Sequence, residues 1–92
     1  MSKNQPDITI YTRTFCGYCT RAISVFEAKG LEVNEIQVDT QPGAREEMLE
    51  RSNGGVTYPQ IFVGRTHVGG CTDLLMLEAR AKLDDLLEAE GA

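Results

Sequence analysis

Positive charge is scarce in this chain. Lysine and arginine together number 9 against 14 aspartates and glutamates, which gives a formal net charge of -5 and a sequence pI of about 4.7. Proteins that bind phosphate backbones in general carry a basic surface instead. We therefore expect neither a nucleic-acid partner nor a membrane partner.

Long apolar runs are also missing. No window approaches the roughly 20 apolar residues of a membrane-spanning helix. The opening stretch MSKNQPDITIYT lacks the apolar core of about 7–15 residues that a signal peptide needs. We therefore expect a cytoplasmic protein, which would meet a reducing glutathione pool.

Cysteine is rare, and its number is odd. Three cysteines cannot all pair within one chain, which fits poorly with a framework of structural disulfides. A reactive pair or a metal-binding pair is the better interpretation.

The length and the hydrophobic pattern predict one small α/β domain covering residues 1–92. The patterns favour the order β-α-β-α-β-β-α, with a parallel βαβ unit first and a hairpin turning at Gly64 and Arg65 afterwards. One mixed four-stranded sheet, covered by helices on both faces, accommodates this order. We expect Thr14 to cap the first helix. The predicted strands span 7–12, 31–40, 58–64 and 65–70, and the helices run from Cys16 to Gly30, from Pro42, and from Thr72 onward.

Two cysteines stand three residues apart in TFCGYCTRA, residues 14–22. Cys16 falls at the predicted junction of strand and helix, where free backbone N–H groups and the helix dipole favour a thiolate. Arg13 could add a positive charge. Cys19 follows about one helical turn later, within reach of a mixed disulfide on Cys16. Position and spacing together favour a redox-active pair.

Two other interpretations remain open on the residues alone. Cys16, Cys19, His67 and Cys71 could form a zinc site of three cysteines and one histidine. The stretch between Cys19 and His67 is far longer than the roughly 12–20 residues between the ligand pairs of common zinc modules, which weakens this interpretation. The pair could also be unreactive thiols in the core.

Three motifs, YTRTFCGYCTRA, VTYPQIFVG and HVGGCTDLL, together resemble a glutaredoxin, and the similarity runs from about Asp7 to Leu87. REEMLERS and EARAKLDDLL resemble the small bacterial dithiol members. The resemblance implies a thioredoxin-like fold and glutathione-dependent thiol–disulfide exchange in a monomer. Glutathione would be a co-substrate, no cofactor would be tightly bound, and glutathione reductase would act indirectly. The substrates would be glutathionylated and disulfide-containing proteins.

The resemblance also implies roles for single residues. Cys16 matches the nucleophile and Cys19 the resolving thiol. Asp73 would take the ammonium of the γ-glutamyl group, although a plain helix cap is the simpler interpretation. Pro59 matches a cis-proline, whereas the residues alone favour a trans proline in an edge strand. The implied glutathione-binding set is Arg13, Tyr18, Thr57, Tyr58, Pro59, Cys71, Thr72 and Asp73.

Two positions depart from the family pattern. Gly17 replaces the usual proline between the cysteines, and Tyr58 replaces the usual valine before the cis-proline. Some members lacking that proline hold a [2Fe–2S] cluster between two subunits, with ligands from the nucleophilic cysteine and bound glutathione. Since cluster iron takes four thiolates, a cluster-binding homodimer through Cys16 is the alternative function.

Overall fold

The computed structural model describes residues 5–91 and has one mixed four-stranded sheet. The sheet order is β2-β1-β3-β4, with β1 parallel to β2, and with β3 antiparallel to β1 and to β4. The predicted α/β architecture is confirmed, while residues 1–4 and 92 of the predicted domain lie outside the described part. The elements are β1 Ile8–Thr12, α1 Gly17–Glu27, β2 Asn34–Gln37, α2 Ala44–Arg51, β3 Gln60–Val63, β4 Thr66–Gly69, α3 Cys71–Ala79 and α4 Lys82–Gly91.

Helices cover both faces of the sheet, as predicted. Successive residues of a strand point to opposite faces, so β1 supplies both cores. Helices α1, α3 and α4 cover one face and α2 covers the other. The first core consists of Ile8, Ile10, Ala22, Phe26, Ile61, Val63, Leu74 and Leu83. The second consists of Tyr11, Ile36, Ala44, Met48 and Phe62.

The first helix begins differently from the prediction. Its N-cap is Cys16, in an extended conformation with φ −114° and ψ 103°, and not Thr14. The Thr14 N–H instead donates to Oδ2 of Asp39 at 3.0 Å. The helix ends at Glu27, and Gly30 follows with a left-handed φ of 78°.

The last helical region is broken, where a continuous helix was predicted. Helix α3 ends at Ala79 and α4 begins at Lys82, because Ala81 between them has φ 58°. A straight helix over 71–91 would be about 30 Å long, as long as the largest dimension of the molecule, 31 Å. The break lets α4 fold back so that Leu83 is fully buried in the first core.

The second helix also starts later than predicted. It begins at Ala44 and not at Pro42, because its N-cap Gly43 takes a left-handed φ of 81°. The predicted turn at Gly64 and Arg65 does join β3 to β4. Within residues 5–91, no helix has both the length and the apolar character needed to cross a membrane.

Candidate active site

The two cysteines of the motif lie at the start of α1. Cys16 and Cys19 are paired as a disulfide, with their Cα atoms 5.2 Å apart. Cys16 is partly exposed, whereas Cys19 is only 2% exposed. An incoming disulfide can therefore reach Cys16, while Cys19 is placed to attack only the Cys16 sulfur, once that sulfur carries a mixed disulfide.

The start of the helix provides Cys16 with a hydrogen-bond donor. The backbone N–H of Cys19 donates to Sγ of Cys16 at 3.3 Å. Hydrogen bonds to an ionised form and the positive end of a helix dipole both favour an anion. The same contact would stabilise a thiolate once the pair is reduced.

The loop before Cys16 is held by a residue that the sequence analysis missed. Asp39, just after β2, accepts the Thr14 N–H. The hydrogen bonds from Thr14 lower the pKa of Asp39, and the charge of Arg13 adds a smaller effect. Phe15 follows with φ 57° and a fully exposed side chain. The sequence did offer a signal for this contact. Because β1 and β2 are parallel, their carboxyl ends lie together, which brings the residues after β2 close to the loop after β1.

A groove of about 260 Å³ lies beside the cysteines, and three separate segments of the chain form it. Tyr18 comes from α1, between the two cysteines. The second segment precedes β3, and the third is the start of α3. The lining residues are Tyr18, Thr57, Tyr58, Gly70, Cys71, Thr72 and Asp73. Six of the eight residues implied to bind glutathione are thus brought together.

The other two residues of that set adjoin the groove. The Arg13 guanidinium lies 5.4 Å from the ring centroid of Tyr58, a distance typical of cation–π contacts. The Tyr58–Pro59 peptide bond is cis, as the resemblance implies. Arg13 therefore places a positive charge at the Tyr58 side of the groove.

The first turn of α3 lies at the other side of the groove. Oδ2 of Asp73 accepts the Gly70 N–H at 2.9 Å, so Asp73 does cap its own helix. A carboxylate has further acceptor capacity, and this cap leaves room for a ligand contact. The first N–H groups of a helix have no partner within it, and those of Cys71 and Thr72 belong to this turn. Cys71 itself is buried.

The zinc interpretation is not supported. His67 lies with Nε2 2.7 Å from Oε1 of Gln60, and its ring stacks on Phe62 with centroids 4.7 Å apart. Across residues 5–91, no group of three or more His, Cys, Asp or Glu side chains could hold a metal ion.

Gln60 is a second residue that the sequence analysis missed. It is only 4% exposed, and its Nε2 donates to the carbonyl oxygen of Thr57 at 2.9 Å and to Oγ1 of Thr57 at 3.1 Å. The available signal was a glutamine opening the otherwise apolar strand QIFV, since a buried amide needs hydrogen-bond partners.

Comparisons with known proteins agree with this geometry. The Glutaredoxin family model matches residues 8–68. A glutaredoxin from Pseudomonas aeruginosa is 49% identical over 84 residues, covering 91% of this chain and 99% of that protein. Glutaredoxin 3 of Escherichia coli K12 is 45% identical over 82 residues, 89% of this chain and 98% of that protein.

Solved structures show the same relationship. The solution structure of a glutaredoxin from Brucella melitensis is 49% identical with a TM-score of 0.77, covering 96% of this chain and 95% of that one. A buckwheat glutaredoxin–glutathione complex is 27% identical with a TM-score of 0.81, covering 96% and 81%. These neighbours confirm the predicted thioredoxin-like fold.

Proposed function

The chain belongs to the glutaredoxin family and is a thiol–disulfide oxidoreductase, and from this premise we propose that it uses glutathione to reduce two classes of disulfide. Cys16 alone reduces protein–glutathione mixed disulfides, and Cys16 with Cys19 reduces protein disulfides. The observation that carries the proposal is the partly exposed Cys16 at the start of α1, two residues before Tyr18, which lines a groove of about 260 Å³.

The single-thiol reaction proceeds in two exchanges. The Cys16 thiolate attacks the glutathione sulfur of the mixed disulfide, a Cys16–glutathione bond forms, and the protein leaves as a thiolate that takes up a proton. Attack on the protein sulfur would instead leave the protein on Cys16. A second glutathione thiolate then attacks the bound glutathione sulfur. Oxidised glutathione departs, and the Cys16 thiolate is regenerated.

The two-thiol reaction uses the buried cysteine. Attack of Cys16 on a protein disulfide leaves that protein bonded to Cys16, and Cys19 then attacks the Cys16 sulfur. The Cα separation of 5.2 Å lies within the usual range for a disulfide, so this step needs no large backbone movement. Glutathione afterwards reduces the Cys16–Cys19 disulfide.

The groove would bind glutathione through four contacts. Arg13 and the Thr57 hydroxyl take the glycine carboxylate. The Tyr58 backbone pairs with the backbone of the glutathione cysteine as a short added strand. The N–H groups of Cys71 and Thr72 receive the γ-glutamyl carboxylate, as helix N-termini bind anions. The remaining contact is that of Asp73 with the γ-glutamyl ammonium. The likeness to a buckwheat glutaredoxin solved with glutathione supports this binding mode.

The cellular setting follows from the same chemistry. The protein would act in the cytoplasm as a monomer, with electrons from glutathione that glutathione reductase restores. Its substrates would be glutathionylated proteins and proteins with accessible disulfides.

A [2Fe–2S]-binding homodimer is the second candidate function. A solved structure named Metal Binding of Glutaredoxins contains a chain that is 49% identical to this one, with 91% of that chain covered and a TM-score of 0.68. In this chain a Cβ built at Gly17 meets nothing within 4 Å, so the space beside Cys16 is open. Cys16 would be the one protein ligand from each subunit, with two glutathione thiolates completing the four that cluster iron takes. A brown dimer after anaerobic purification with glutathione would support this candidate, and a colourless monomer would oppose it.

Two single-cysteine variants test the primary function. Cys16→Ser should abolish reduction of both a glutathionylated peptide and a protein disulfide. Cys19→Ser should keep the first activity and lose the second. Substantial activity in Cys16→Ser, or loss of both activities in Cys19→Ser, would contradict the assigned roles.

A further inference from the structure

The segment before β3, residues 53–59, is irregular, and two buried polar side chains hold it. Ser52 is 6% exposed, and its Oγ accepts the Gly55 N–H at 2.8 Å. Gln60 donates to Thr57 from the other end of the segment. A Cβ at Gly55 would lie 2.7 Å from Oγ of Ser52 and 2.9 Å from Cδ of Gln60. The two side chains therefore converge on one glycine and fix the segment between them.

The orientation of the Gln60 amide is set by a neighbouring strand. Oε1 of Gln60 lies 2.7 Å from Nε2 of His67. A carbonyl oxygen only accepts hydrogen bonds, so His67 is the donor there. The His67 ring is itself stacked on Phe62 at an interplanar angle of 20°. With Oε1 engaged by His67, the NH2 group of Gln60 must face Thr57.

This arrangement determines what the Thr57 hydroxyl can do. Oγ1 of Thr57 accepts from Gln60 at 3.1 Å, so the hydroxyl proton is free to donate elsewhere. Thr57 lines the groove, and its donor therefore favours a ligand group that accepts, such as a carboxylate. Arg13, over the neighbouring Tyr58 ring, favours the same kind of group.

We propose that Gln60, oriented by His67, is a positioning residue that sets the Thr57 hydroxyl as a hydrogen-bond donor to the glycine carboxylate of glutathione. The inference rests on the proposed function, because it assumes that the groove binds this tripeptide. The hydrogen bonds of the Gln60 side chain go to Thr57 and His67 and not to either cysteine of the redox pair. It acts through Thr57 on binding and leaves the reactivity of Cys16 unchanged.

Two substitutions of Gln60 test the proposal in the full-length protein, with a glutathionylated peptide as substrate and glutathione as reductant. Gln60→Leu removes the donor and the acceptor. Gln60→Glu keeps the acceptor for His67 but offers no donor, so the Thr57 hydroxyl turns toward the new carboxylate. Each should raise KM for the glutathionylated peptide about tenfold, as expected for one lost hydrogen bond to a charged group. kcat should change less than twofold.

Substitution of His67 gives a milder test that leaves the buried segment intact, since His67 is exposed. His67→Leu should raise KM about threefold, because the Gln60 amide loses its orienting donor. His67→Gln retains a donor and should restore the wild-type KM. Gln37→Leu, a matched glutamine substitution in β2 away from the groove, should leave KM unchanged.

Alkylation of reduced Cys16 by iodoacetamide separates positioning from a general structural role. This reaction needs no glutathione, so its rate should be the same in the wild type and in every Gln60 and His67 variant. KM values within twofold of wild type in Gln60→Leu, Gln60→Glu and His67→Leu would overturn the inference while leaving the proposed function intact. Alkylation rates that change in parallel with KM would also overturn it. A wild type without glutathione-dependent turnover would overturn both.

Discussion

Replacing Gly17 with proline should stabilise the protein, because three features of the structure favour proline at this position. Gly17 is the first residue of α1 after its N-cap, where the N–H has no partner within the helix and proline is favoured. The preceding residue, Cys16, has φ −114° and ψ 103°, the extended conformation that proline demands of its predecessor. A Cβ built at Gly17 meets nothing within 4 Å.

The gain comes chiefly from the unfolded state, in which glycine has more freedom to lose than proline. Substitutions of this kind at compatible sites contribute about 0.4–1 kcal/mol. For a domain of this size, that corresponds to a rise in Tm of roughly 2 to 8 °C. Urea unfolding of the reduced protein, followed by far-UV circular dichroism, measures the free energy of unfolding, and a thermal scan measures Tm.

Two alanine variants provide matched controls. Gly17→Ala should stabilise by about 0.5 kcal/mol, the lower end of the glycine-to-alanine difference in helices. Gly30→Ala should destabilise by about 1 kcal/mol, because Gly30 has φ 78° and side chains rarely adopt this conformation. A Cβ at either glycine meets open space, so only the backbone conformation differs. A Gly17→Pro variant less stable than wild type would refute the reasoning about this helix start.

Hydrogen bonds from the Thr66 hydroxyl and the Arg65 N–H lower the pKa of Glu90 in the folded protein. The Glu90 carboxylate therefore stabilises the fold above its ordinary pKa of 4.5, and this stabilisation is lost as the pH falls through the lowered pKa of the folded state. In urea titrations at decreasing pH, the free energy of unfolding of Glu90→Gln should fall less steeply than that of the wild type. Parallel plots of unfolding free energy against pH would contradict this. The Tyr11 hydroxyl donates to Glu47 and accepts from Arg51 at 3.1 Å. Tyr11→Phe should therefore lower the free energy of unfolding by about 1 kcal/mol, and an unchanged urea midpoint would refute this prediction. Arg13→Gln should raise KM for a glutathionylated peptide about threefold, whereas Arg13→Lys should leave it unchanged. Added salt should reduce the difference in KM between the two variants. Equal KM values for Arg13→Gln and the wild type would show that Arg13 does not contribute to binding.

Much of the fold was predictable because its signals are local. The alternation of Ile8 and Ile10 with polar neighbours indicated a strand, and the turn at Gly64 predicted the hairpin. The parallel pairing of β1 with β2 follows from the βαβ unit, and the antiparallel pairing of β3 with β4 follows from that hairpin. The cysteine pair was predicted correctly to lie at a helix start, because the spacing of Cys16 and Cys19 and the strand before them are features of one short stretch of sequence.

The elements that were missed depend on contacts between distant residues. Thr14 does not cap α1, because the helix begins at Gly17 after Cys16, and the hydrogen bonds of Thr14 go to Asp39, 25 positions away. The break at Ala81 has no local signal, since alanine itself favours helices, and after it Leu83 of α4 packs in the first core. The hydrogen bonds that join His67 to Thr57 through Gln60 cross from β4 to an irregular segment, and no periodic pattern reports such a link.

The ionisation of Cys16 in the reduced protein tests the account most directly. In the Cys19→Ser variant, absorbance at 240 nm followed against pH reports the Cys16 thiolate without interference from its partner. The account predicts a titration centred well below the ordinary cysteine pKa of about 8.5, with most of the thiol ionised at pH 7. A titration centred at or above that value would contradict it.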